Sequence, residues 1–155
     1  VLQPALRTIP HELVCDETDE SLPPLLTDSG LLERAVANPV DNAVHHSPAN
    51  TRVRVCAAVV PDGSLQLRII DQGPGVDEAD RDRMFQPFQR LGDAPDGAGV
   101  GLGLAVARGL STAVGATLEA EDTPGGGLTM VMSIPLSPVD KFGDTSATDR
   151  SGGVA

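Results

Sequence analysis

The spacing of apolar positions changes along the chain, and each change marks an element. From Ser29 to His46 the period is helical. On a wheel of about 100° per residue, Leu32, Val36, Pro39, Val40, Ala43 and Val44 share one arc. Asn38, Asn42 and His45 gather opposite, with Arg34 one turn earlier. Asp28 supplies an N-cap and Pro48 a stop. Arg52 to Val60 and Leu65 to Ile70 read as a hairpin around Pro61-Asp62-Gly63-Ser64. In its second strand Leu65, Leu67 and Ile69 alternate with Gln66 and Arg68, so one face is covered and the other is wetter. A second apolar helical run, Leu104 to Val114, closes at Gly115. Ala116 to Ala120 and Leu128 to Ile134 follow as strands, joined by the turn Pro124-Gly125-Gly126-Gly127 and ended by Pro135. Glu12-Leu13-Val14-Cys15 makes a short strand, and Asp77 to Met84 a short acidic helix. No internal repeat interrupts this order.

Composition narrows the partners. The chain has 155 residues, enough for one domain with a proper core. With no Trp or Tyr and only three Phe, that core is built from Val, Leu, Ile and Ala. A net charge of −11 disfavours a nucleic-acid or anionic-membrane surface. Cys15 and Cys56 follow no metal spacing and read as buried thiols in a reducing compartment. No run approaches a transmembrane length and no signal peptide opens the chain. A first residue other than Met fits a fragment of a longer protein. Residues 1–10 read as a linker from a preceding element, 11–136 as the domain, and 137–155, rich in Ser, Thr, Asp and Gly, as a disordered tail.

Four segments carry chemistry. In Gly99-Val100-Gly101-Leu102-Gly103-Leu104, glycines precede a helix, and a helix N-terminus offers free N–H groups and a positive dipole end to phosphate. The P-loop Lys and Ser/Thr are missing, and a loop precedes the motif rather than a strand, so P-loop and Rossmann readings are disfavoured. In Asn38-Pro39-Val40-Asp41-Asn42-Ala43 two Asn lie at i and i+4, where Glu, Lys or Arg would favour the helix more. Their amide oxygens are hard donors suited to Mg²⁺ beside phosphate. In Asp71-Gln72-Gly73-Pro74-Gly75 a strand-end carboxylate can accept a hydrogen bond from an adenine amino group. In Met84 to Arg90, Phe85 and Phe88 flank the loop before the glycines and suggest hinge anchors. Singly, each segment also reads as ordinary loop, turn or helix face. It is their order that carries weight.

In that order they resemble the catalytic and ATP-binding domain of sensor histidine kinases, within the GHKL superfamily. Asn38 to Pro48 is similar to its N box, Asp71 to Gly75 to the first glycine box, Met84 to Arg90 to the F box, and Gly99 to Leu104 to the second glycine box. Phe88 to Asp93 and Glu121 to Met130 further resemble actinobacterial, Kdp-type osmosensitive potassium sensor kinases. The resemblance implies an α/β two-layer sandwich: a mixed, mostly antiparallel sheet of about five strands with three helices on one face. It implies ATP and Mg²⁺, with ATP under a lid formed by about Leu91 to Ala98. Asn42 would be the Mg²⁺ ligand, assisted by Asn38, and Arg90 would reach the phosphates or a partner helix. Asp71 would read adenine, Thr129 helping through water, with Gly73 and Gly75 shaping the base pocket and His46 beside it. Gly99, Gly101 and Gly103, with Leu102 and Leu104, would cradle the phosphates. His45, Phe88 and Val100 complete the ATP-binding set.

Two positions depart from the family. Pro39 replaces an apolar helix former and removes one helix N–H, so a kink is expected. His45 stands where a permanent cation is usual. No phosphoacceptor motif is present, so the substrate histidine would lie on a separate dimerisation domain. The implied partners are that domain and a cognate response regulator, with no nucleic acid and no direct membrane contact. The domain would be cytoplasmic in a parent anchored in the bacterial inner membrane. The rivals are a GHKL ATPase, an anti-sigma-type serine kinase, and a nucleotide-binding or scaffold module without activity. Asn38 disfavours the ATPase, since an amide is no general base for water.

Overall fold

A computed structural model describes residues 22–89 and 101–136, together with the backbone of 12–15. The linker 1–10, the loop from Arg90 through Gly99 and Val100, and the tail 137–155 lie outside the described residues.

Helix α1, Ser29–His46, forms where the helical period is strongest. The Asp28 side chain caps its start by accepting from the Leu31 N–H at 2.9 Å. At its end the Ser47 N–H and Oγ both donate to the Ala43 carbonyl. Ala35, Val36, Pro39, Val40 and Ala43 are buried. Pro39 leaves one carbonyl of the preceding turn without its helical donor, yet α1 runs unbroken through it. The ring serves there as a core residue.

Strands β1 (Glu12–Cys15), β2 (Arg52–Val59), β3 (Ser64–Ile70), β4 (Thr117–Asp122) and β5 (Leu128–Pro135) form one sheet in the order β1-β2-β3-β5-β4. The β1–β2 pair is parallel and the other pairs are antiparallel. Register places apolar rows on one face: Leu65 beside Ile134, Leu67 beside Met132 and Leu118, Ile69 beside Met130 and Ala120. These rows join the buried face of α1 and helix α2 (Gly103–Ala113) in a single core. The opposite face carries Arg54, Cys56, Arg68, Glu119 and Glu121, with Arg68 paired to Glu121 at 2.6 Å. Cys56 lies on this face and is half-buried, not enclosed as expected, because alternation turns it away from the core.

Helix α2 ends in a Schellman motif. Gly115 has φ +78°, its N–H donates to the Thr112 carbonyl, and the Ala116 N–H donates to the Ser111 carbonyl. The expected acidic helix over Asp77 to Met84 is instead two single-turn 3₁₀ helices, Glu78–Asp80 and Arg83–Phe85. The stretch has too few apolar residues to bury a helical stripe. Only Met84 and Phe85 at its end enter the core.

The tightest constraint lies in the β4–β5 turn. Gly127 has φ +112°, and a Cβ there would run into the Asp71 carbonyl. Gly126 has φ +109° with open space around it. Both positions resist L side chains, but only Gly127 also faces backbone. Gly127→Ala should cost about 2–4 kcal/mol and Gly126→Ala about 1–2 kcal/mol in denaturant unfolding. Equal losses would show that backbone conformation alone, not the contact with Asp71, sets the requirement at 127.

Candidate functional site

Asp71 leaves the end of β3 only 2% exposed. A buried carboxylate needs donors. Its Oδ1 accepts from the Gly73 N–H and the Leu128 N–H, each at 2.9 Å. Its own N–H donates to the Leu128 carbonyl at 2.9 Å. The side chain is therefore fixed through one oxygen, and neither of these bonds uses Oδ2. Gly73 packs against the His46 carbonyl and Gly75 against Gly127, so the end of α1, the loop after β3 and the β4–β5 turn meet around this carboxylate.

His46 borders the same corner. Its pKa lies below the ordinary value, first because the imidazole has lost part of its hydration and second because His45 is adjacent. Asp71 pulls in the opposite direction without reversing the shift. The two imidazoles meet edge to face, centroids 5.3 Å apart.

The other end of the site lies between the helices. Asn38 and Asn42 are half-buried on the polar face of α1, and His45 is exposed. Gly103 opens α2 directly opposite Asn38, where a Cβ would sit 3.9 Å from the Asn38 side chain. Among the described residues no side chain caps this helix start. Its first-turn N–H groups are thus not taken up by a capping side chain. A cleft of about 260 Å³ opens here, lined by Arg34, Ala37, Asn38, Leu102, Gly103 and Val106.

Phe85 and Phe88 do different work. Phe85 is buried, with the Arg108 guanidinium 4.3 Å from its ring centroid. Arg108 also approaches Asp82 at 3.7 Å and so ties this segment to α2. Phe88 is 69% exposed and has φ +62°, uncommon for a bulky residue. Its N–H donates to the Gly101 carbonyl at 3.0 Å. Gly101, at φ +76°, leaves the room that the Gln89 carbonyl and Phe88 backbone occupy. The two ends of the intervening loop are therefore joined at the base.

The structure thus gathers Asp71, Gly73, Gly75 and His46 at one end, and Asn38, Leu102 and Gly103 at the other. Asn42 lies between them on α1, and Leu104 follows in the first turn of α2. Arg90, Gly99 and Val100 lie outside the described residues. Thr129 does not join the set. It alternates with Leu128 and Met130, whose side chains enter the core, so it leaves the sheet on the opposite face. There its hydroxyl meets the Thr123 hydroxyl at 2.9 Å. Leu128, not Thr129, stands beside Asp71. Sequence reasoning missed Leu128 and Gly127, whose one signal was the triple glycine. Among the described residues no group of three or more His, Cys, Asp or Glu could hold a metal ion, so a cation here would depend on amide and phosphate oxygens.

Comparisons with known proteins agree with this geometry. Residues 27–138 match the family described as histidine kinase-, DNA gyrase B-, and HSP90-like ATPase. The sensor protein KdpD of Rathayibacter rathayi is 42% identical over 144 residues, 93% of this chain. The chain spans 16% of that protein's length. The mycobacterial sensor histidine kinase MprB superposes with a TM-score of 0.63 at 34% identity, covering 72% of this chain and 74% of that one. Full-length ShkA, solved in complex with AMPPNP, superposes with a TM-score of 0.71 at 28% identity, covering 88% of this chain and 28% of that one. The chain belongs to the histidine kinase-, DNA gyrase B-, and HSP90-like ATPase family, and within it to the catalytic domains of sensor histidine kinases.

Proposed function

We propose that Mg-ATP lies between α1 and α2 and that its γ-phosphoryl group passes to a histidine on a separate dimerisation domain of the parent kinase. The observation that carries this reading is the Asp71 carboxylate, held through Oδ1 by two backbone N–H groups. Oδ2 is then the acceptor for an adenine amino group. The uncapped start of α2, facing Asn38, takes the phosphates through backbone N–H groups. The ShkA structure with AMPPNP, an ATP analogue, supports an adenine nucleotide as the ligand.

The donor set fits Mg²⁺. Asn42 offers one hard amide oxygen without adding negative charge beside a polyphosphate, and phosphate oxygens with water supply the rest. Bound there, Mg²⁺ would neutralise charge on the phosphates. The residues of this chain position the nucleotide: Asp71 fixes the base, and Asn38 and the first turn of α2 orient the phosphate chain. Asn38 cannot activate water, which favours transfer over hydrolysis.

The wider assignment rests on the KdpD relative and the Kdp-type resemblance. We assign the parent to potassium or osmotic signalling, with a cognate response regulator as the next acceptor. No helix among the described residues is long and apolar enough to cross a membrane. The domain would be cytoplasmic, in a membrane-anchored parent.

Asn42→Ala should weaken Mg-ATP binding by about 1–3 kcal/mol in calorimetric titration. Unchanged affinity would remove Asn42 from the site. Asp71→Asn keeps an Oδ1 acceptor for Gly73 and Leu128 but presents an NH₂ group where the base binds. It should fold normally and lose the preference for ATP over GTP. Asp71→Ala should instead lose stability by about 2–4 kcal/mol, because two N–H groups are left unpaired. A wild-type protein that binds ATP and GTP equally would contradict the role of Asp71. The depressed pKa of His46 means that the folded protein takes up its proton less readily than the unfolded chain. Stability should therefore fall as pH drops through about 6.5, and that part of the dependence should vanish in His46→Gln. Superimposable pH–stability curves for the two proteins would contradict it.

A further inference from the structure

We infer that Arg34 binds the terminal phosphate of the nucleotide and so distinguishes a triphosphate from a diphosphate. This rests on the Mg-ATP reading above. Along α1, positions 46, 42, 38 and 34 follow at four-residue steps on one side of the helix. Each step advances about 6 Å, so position 34 lies about 18 Å along the axis from position 46. The base is fixed at the His46 end by Asp71 and Gly73. A nucleotide laid along α1 from that corner passes Asn42, then Asn38, and directs its last phosphate toward Arg34.

The space and the charge are both there. The cleft of about 260 Å³ lies at Asn38 and the start of α2, and among the described residues Arg34 is the one permanent cation in its lining. Other described arginines are engaged: Arg68 with Glu121, Arg81 with Asp122, Arg83 with Asp80, Arg108 with Asp82 and the Phe85 ring. Arg52 and Arg54 make interactions of their own on β2. Arg34 is exposed and has no ion pair among the described residues. A guanidinium can hold two oxygens of one phosphate at once, which a point charge does less well. Beside the uncapped α2 start, it would place two sources of positive potential on the group to be transferred. A diphosphate, one unit shorter, stops before it.

The test is calorimetric titration of the full chain with ATP and with ADP at fixed Mg²⁺. Arg34→Gln should weaken ATP binding about tenfold while ADP binding stays within about twofold of wild type, and Arg34→Lys should recover part of the ATP affinity. Thermal unfolding should be unchanged in both variants. Equal loss for ATP and ADP, or no loss for either, overturns the assignment and leaves the nucleotide reading standing. ATP affinity that stays intact while transfer to the acceptor domain slows also overturns it, because Arg34 then contacts the partner. A wild-type chain that binds neither nucleotide overturns the nucleotide reading and this inference together.

Discussion

One carboxyl oxygen holds the site in shape. Asp71 Oδ1 accepts from Gly73 and Leu128, and the Asp71 backbone pairs with Leu128 as well. Two segments distant in sequence are thereby fixed: the loop after β3, and the start of β5 with the glycine turn that runs into it. The cost of burying the carboxylate is offset by charge-assisted bonds to backbone. Gly127 follows from the same constraint, since a side chain there would displace the Asp71 carbonyl. The corner around Asp71 is therefore held by the chain's own hydrogen bonds, and in the proposed nucleotide complex its specificity would depend on the remaining oxygen.

The rest of the site is a matter of length and direction. Helix α1 would place Asn42 and Asn38 at intervals along the proposed nucleotide. Helix α2 meets it with an uncapped start, and the Phe88–Gly101 bond fixes the chain entering that start. Arg108, over the Phe85 ring, ties the preceding segment to α2. Positioning and fixed dipoles are what phosphoryl transfer asks of a protein. Among the described residues no group of three or more His, Cys, Asp or Glu could hold a metal ion beside Asn38 and Asn42.

Much of this was legible in the sequence. The apolar and polar arcs of α1 were visible because a long amphipathic helix with a cap at Asp28 leaves little ambiguity. The hairpin and the last two strands were visible for the same reason, through turns and alternation. The 77–85 segment was not, because its anchors are distant: Met84 and Phe85 enter the core and Arg108 comes from α2. The side that Thr129 takes was not legible either: the pleat puts Leu128 and Met130 on one face and Thr129 on the other, beside Thr123. The triple glycine announced a turn. Which glycine touches Asp71 depends on pairing between β3 and β5, and local sequence does not carry that.

The direct test is amide NMR of the ¹⁵N-labelled chain, titrated first with adenosine and then with Mg-ATP. Adenosine should shift the Gly73 and Leu128 amides and leave Gly103 and Leu104 in place. Mg-ATP should shift all four, together with the Asn38 and Asn42 side-chain amides. Shifts confined to the far face of the sheet, around Thr123 and Thr129, or identical responses to the two ligands, would contradict a nucleotide laid along α1 from Asp71 to the start of α2.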